Sequence, residues 1–147
     1  MVEGLPPARE DRAMATWKDV RRIAQHFPDL TEKSPRDWRV RDKMVVWERP
    51  LRQVDLAFLG ESAPSGAIMG ARVADEGVKE ALVADAPDIY FTTPHFNGYP
   101  AVLVRLAAIS SKELAELVEE AWLDRAPKTL VKRFLAQHPT EAPKRSD

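Results

Sequence analysis

Apolar residues recur along this chain at two spacings, and the spacing changes where the elements change. Trp17, Val20, Ile23, Ala24 and Phe27 fall at helical intervals behind Thr16, a residue type that caps helix starts. Pro28 ends that run, because the residue before a proline avoids helical backbone. Residues 38–40 and 44–47, separated by Arg41-Asp42-Lys43, predict a short hairpin rich in tryptophan and valine. Residues 51–59 fit either no regular element or a short helical turn, and Pro64-Ser65-Gly66 marks a turn. Residues 67–73 predict a strand. Asp75 then caps a helix that carries Val78, Ala81 and Leu82 and stops at Pro87.

Residues 89–126 hold the clearest pattern. Two β-prone runs flank Asn97-Gly98, and counting outward pairs Phe96 with Tyr99, Phe91 with Val104 and Tyr90 with Arg105. Ile89, Phe91, Val102, Val104 and Leu106 then share the core face, and Tyr90, Thr92, Leu103 and Arg105 the other. Pro94 has no N–H to give, so the ladder fails near the tip and residues 94–99 form an irregular loop. Ser110 and Glu113 make a capping box with Ile109 and Leu114 at the staple positions. Leu114, Leu117, Val118, Ala121 and Trp122 follow as one apolar stripe. After Pro127, the positions of Leu130, Val131, Phe134 and Leu135 predict a last short helix.

This order predicts an α+β fold, a mainly antiparallel five-stranded sheet with helices packed on one face. A single domain spans residues 16–137, between a disordered leader at 1–15 and a disordered tail at 138–147.

Composition changes this picture little. With 44% hydrophobic and 31% charged residues the chain is an ordinary globular one. It holds no cysteine, which removes disulfide and thiolate chemistry and fits a reducing cytoplasm. No apolar run approaches the ~18–20 residues that cross a bilayer, so no membrane partner is expected. The net charge of −1 does not advertise a polyanion partner, but its distribution is uneven. Lys33, Arg36, Arg39, Arg41, Lys43, Arg49 and Arg52 face only Glu32, Asp37, Asp42 and Glu48 over residues 32–52. Arg125, Lys128, Lys132 and Arg133 form a second basic run.

Candidate chemistry is sparse. His26, His95 and His138 lie on three different elements without a carboxylate at metal-ligand spacing, so neither metal nor cofactor is expected. Ser110 and Ser111 have no adjacent base, and no phosphate-binding glycine loop occurs. The segment His95-Phe96-Asn97-Gly98-Tyr99 suits either ligand stacking or a plug into its own core. Arg39, Arg41 and Lys43 alternate along a strand-like run, which would aim all three to one side, beside Trp47. Lysine and arginine bind phosphate and aromatic rings stack on bases, so this is the best nucleic-acid footprint. Lys128, Lys132 and Arg133 extend it if the last helix packs nearby. The alternative is an edge hairpin kept unpaired by its charges. A second surface is the outer sheet face around Tyr90, Leu103 and Arg105, suited to a protein partner.

One resemblance covers residues 16–137. Its carriers are Trp17-Lys18-Asp19-Val20, the strand residues 43–47 followed by Arg49-Pro50-Leu51, and the segment 91–100 (FTTPHFNGYP). The helix pair holding Glu113, Ala121-Trp122 and Ala126-Pro127-Lys128 completes it. Through these the chain resembles the MmcQ/YjbR family of small bacterial proteins. The resemblance implies an α+β sandwich like that of frataxin or type III secretion chaperones. It also implies the label the family carries, DNA binding through a "double wing" arrangement, and supplies no catalytic residues. The expectation is therefore a non-enzymatic cytoplasmic module that binds nucleic acid, with a protein-interaction or chaperone-like module as the alternative.

Overall fold

The computed structural model describes residues 15–138; the expected leader and tail lie outside the described residues, except for Ala15 and His138 at their borders. In chain order the elements are α1 (Trp17–Ala24), β1 (Leu30–Ser34), β2 (Asp37–Val40), β3 (Lys43–Glu48) and α2 (Gln53–Leu59). There follow β4 (Ile68–Arg72), α3 (Glu76–Asp85), β5 (Tyr90–Phe91), β6 (Ala101–Arg105), α4 (Ser111–Arg125) and α5 (Lys128–Gln137). Three single 3-10 turns, Gly60–Ser62, Pro94–Phe96 and Leu106–Ala108, fill the connections.

The sheet has six strands in the order β1-β2-β3-β4-β6-β5, every pair antiparallel, where the sequence predicts five. The additional strand is β1. Its sequence, LTEKS, buries only Leu30 and shows no apolar alternation, because an edge strand has one neighbour and a wet face. Arg21 on α1 grips it. Its Nε and Nη2 donate to the two Glu32 carboxylate oxygens at 2.8 Å each, and the Arg36 N–H adds a third bond at 2.8 Å. The Arg21 fork holds the Glu32 carboxyl at about 2, against an ordinary value of 4.5. A pKa lowered by folding stabilises the fold above the ordinary value, and that stabilisation is lost as pH falls toward the folded one. The melting temperature should therefore drop between about pH 4.5 and pH 2. A Glu32→Gln variant, melted in parallel, should show a shallower drop; equal slopes would mean the bridge contributes nothing.

Between β2 and β3, Arg41 and Asp42 both have positive φ, 51° and 70°, closing a two-residue hairpin turn on the Val40–Lys43 pair. One bulge residue in β3 sends both Val45 and Val46 into the main core. That core lies between one sheet face and α1, α4 and α5. Val40, Met69, Ala71, Val102 and Val104 come from the sheet, and Val20, Ile23, Leu114, Val118, Trp122 and Phe134 from the helices. The predicted α4 stripe is buried in full, and Ser110 accepts from the Glu113 N–H at 3.1 Å. The Glu113 carboxylate does not return to the cap. It accepts the Tyr90 hydroxyl at 2.6 Å instead.

Tyr90 marks a register correction. It pairs with Val104, and Phe91 pairs with Leu103, one residue away from the predicted match. A one-residue slip turns every side chain over. Tyr90 therefore enters the main core with Val102 and Val104, while Phe91 lies on the second face with Leu103. The predicted irregular segment is present as the turn Pro94–Phe96 and the residues after it, and this turn sets the count between β5 and β6.

The second sheet face is not open. Trp47, Ile68, Phe91, Phe96, Ala101 and Leu103 form a smaller buried cluster on it, flanked by Met44, Leu51 and Leu59. Trp47 lies flat over Gly70, where any Cβ would overlap the indole.

Candidate nucleic-acid interface and a neighbouring pocket

Arg39, Arg41 and Lys43 do not form one row. The strand ends at Val40, and Arg41 sits in the tight turn. Each arginine has an acid beside it. Arg39 donates to Asp37 at 3.1–3.3 Å, and Arg41 Nε meets Asp29 at 2.9 Å. Lys33 pairs with Asp42 at 3.2 Å and Arg36 with Glu48 at 3.1 Å. Mostly solvated bridges of this kind contribute little to stability, but each acid offsets the charge of the base beside it. The Trp47 ring is 7% exposed and faces the second cluster, so it is not available to a base at the surface.

The basic residues converge further along. Lys43, at the start of β3, lines a groove of about 730 Å³ with Lys128 and Lys132 of α5. Lys128 and Lys132 are one helical turn apart, so both fall on one side of α5. The floor is apolar, from Leu123, Val131 and Leu135, and Asp124 is the one carboxylate in the lining. Arg125 closes the groove and donates its Nε to the Met44 carbonyl at 3.1 Å. Burial lowers the Arg125 pKa, and the nearby Arg72 charge lowers it further. None of Lys43, Lys128 and Lys132 is held in an ion pair among the described residues. Arg133 is exposed on α5 and does not line the groove.

The alternative surface is taken apart by the register. Tyr90 is 2% exposed and lies on the main-core side, where burial and then Glu113 push its phenol pKa up. Leu103 is fully buried on the second face. Arg105 lies 4.5 Å over the Phe91 ring and donates to the Pro87 carbonyl at 2.9 Å. Large apolar side chains are exposed elsewhere, on α2, with Val54 at 65% and Phe58 at 60%.

Asp55 and Lys79, which the sequence does not mark as site residues, join Arg49, Arg52 and the His95 segment in a second site. Asp55 of α2 is buried, 3.1 Å from Arg49 Nη2 and 3.6 Å from Arg52 Nε. Arg49 donates to the Pro50 carbonyl and stacks 5.3 Å over the Phe96 ring. Arg52 Nη2 meets His95 Nδ1 at 3.2 Å. Lys79 of α3 is 4% exposed, and its ammonium donates to the carbonyls of Phe96 at 2.7 Å and Tyr99 at 2.8 Å. Glu76, at 3.3 Å, balances its charge. Lys79 thus pins the 94–99 segment to α3. On the sheet side of that segment opens a pocket of about 380 Å³ lined by Met44, Trp47, Arg49, His95, Phe96 and Tyr99. The signal available in the sequence was its aromatic and histidine content between two prolines.

The fold, an antiparallel sheet carrying its main helical layer on one face, defines a small α+β protein. The chain matches the YjbR family model over residues 25–123 and belongs to that family. It is 60% identical over 126 residues to an uncharacterized protein of Mycobacterium bovis and to one of Mycobacterium tuberculosis, across 84% of this chain and 98% of each relative. No solved structure matches it. Among the described residues no helix is long and apolar enough to cross a membrane, and no group of three or more acidic or histidine side chains could hold a metal ion.

Proposed function

We propose that this protein is a non-enzymatic module that binds nucleic acid through its phosphate backbone, in the groove between the start of β3 and α5. The observation that carries the reading is the convergence of Lys43, Lys128 and Lys132 on one apolar-floored groove, none held in an ion pair among the described residues. Uncommitted ammonium groups displace counterions from a polyanion, whereas the bridged Arg39 and Arg41 must first leave their acids. Such contacts position a duplex without reading its sequence. Arg133 lies on the same helix, exposed and outside the groove.

The test is a titration of duplex DNA at two salt concentrations, with wild type and with Lys43→Ala, Lys128→Ala, Lys132→Ala combined. Each lost phosphate contact lowers the salt slope of log K by about 0.9, so the triple variant should lose about 2.7. Affinity should fall alike on unrelated sequences. No wild-type binding at low ionic strength would end the reading. An unchanged slope in a folded triple variant would move the footprint away from this groove.

The protein-interaction reading keeps one specific support, the exposed Val54 and Phe58 one turn apart on α2. A photo-crosslinker placed at 58 and at 128 separates the two. Protein adducts at 58 with none to nucleic acid at 128 favour the second.

A further inference from the structure

We propose that the pocket lined by Met44, Trp47, Arg49, His95, Phe96 and Tyr99 binds a small planar aromatic anion. Three observations converge on that chemistry. The walls are aromatic. Trp47 and Phe96, both nearly buried, form the base, and Tyr99, 40% exposed, stands at the rim. Their orientation is fixed, since Phe96 meets His95 edge-on at 4.9 Å and Tyr99 at 6.1 Å. A flat ligand stacks on the exposed His95 and Tyr99 rings, with the buried Trp47 and Phe96 behind them, and a volume of about 380 Å³ lies in the range of small-molecule sites.

The charge of the site is the second observation. Arg49 and Arg52 together face a single carboxylate, Asp55, which leaves a net positive charge beside the pocket. No carboxylate lines the pocket itself. Arg49 is also incompletely satisfied. Its Nη2 is buried and lies 3.1 Å from Asp55 without a well-directed hydrogen bond. A guanidinium held in place by a buried acid and an aromatic ring is preorganised for a flat carboxylate or phosphate. An uncharged aromatic compound would leave that charge unanswered, and a bare inorganic anion would leave the plates wet.

Rigidity is the third. The segment that supplies His95, Phe96 and Tyr99 is tied at two carbonyls by the buried Lys79 ammonium. Arg72 steadies Tyr99 from outside, 4.9 Å over its ring, with Nη1 donating to the hydroxyl at 3.3 Å. A preformed pocket loses little conformational freedom on binding. The site is separate from the groove of the proposed nucleic-acid contact, since Lys43, Lys128 and Lys132 do not line it.

Isothermal titration with AMP and 2-naphthoate, two planar aromatic anions with different head groups, tests the proposal. Adenosine and inorganic phosphate serve as the two halves. At least one aromatic anion should bind at least about tenfold more tightly than either half, a difference of about 1.4 kcal/mol. Tyr99→Ala and His95→Ala alter exposed rim residues and should each weaken binding several-fold, with the circular dichroism spectrum of the folded protein retained. The Lys43, Lys128, Lys132 triple variant should bind the anions as wild type does, even if it loses DNA. Absence of binding by both anions at low-millimolar concentration would overturn the proposal. So would adenosine binding as well as AMP, or anion binding that both rim variants leave intact.

Discussion

Trp122→Ala should lower the stability of this fold by about 3–5 kcal/mol, the range for removing a large aromatic side chain from a closed core. Trp122 has no exposed surface and sits where α4 meets α1 and α5. Its ring packs 5.7 Å from Phe27 and 5.1 Å from Phe134, which are themselves 5.5 Å apart. The indole N–H donates to the Pro28 carbonyl at 2.9 Å, so truncation also strands an acceptor at the end of α1. Chemical denaturation of the variant measures the loss directly. Leu117→Ala on the same stripe should cost about 2–5 kcal/mol. A midpoint unmoved by either change would mean that the stripe faces solvent.

Lys79→Met should cost about 1–3 kcal/mol for each carbonyl left without a donor, partly offset by the burial of an apolar side chain in place of an ammonium. The loss is local in origin. Lys79 is a tie between α3 and the 94–99 segment, contributing nothing to the α4 core. Amide exchange should therefore quicken at Phe96, Asn97 and Tyr99 well before it changes at Val118. Uniform quickening throughout the domain would show that the tie supports the whole fold. Unaltered exchange in the segment would show that the loop holds its shape without the lysine.

What was legible in the sequence divides along physical lines. Helices α1 and α4 carry their own instructions. Thr16 and Asp19 form a reciprocal cap, and Ser110 caps α4 ahead of an unbroken apolar stripe. Nothing beyond the local chain is needed to place them. The β5–β6 register depends on how many residues the connection consumes, and the 3-10 turn at Pro94–Phe96 decides that number. One residue of error was enough to put Tyr90 and Phe91 on each other's faces. Strand β1 leaves no apolar pattern in the sequence because four of its five residues stay at least partly wet.

The site divides the same way. Lys128 and Lys132 are helical neighbours in any reading, but their approach to Lys43 is made by the packing of α5. The alternation that aligned Arg39 with Arg41 stops at Val40, where two positive-φ residues turn the chain. Lys79 carries no such mark in the sequence. A lysine on a helix normally points to water, and its two acceptors lie 17 and 20 residues away.

The two margins of the sheet limit how a partner can join it. At one end β1 presents Thr31, Glu32 and Lys33, with Glu32 clasped by Arg21 and Lys33 by Asp42. At the other, β5 is two residues long, and its Tyr90 N–H is already given to the Ala86 carbonyl. An incoming strand would find too little free backbone at β5 and a fence of charged side chains at β1. Both edges therefore oppose lengthening of the sheet by a foreign strand. A partner would instead meet side chains, in grooves and on helix faces, where surface substitutions leave the ladder beneath untouched.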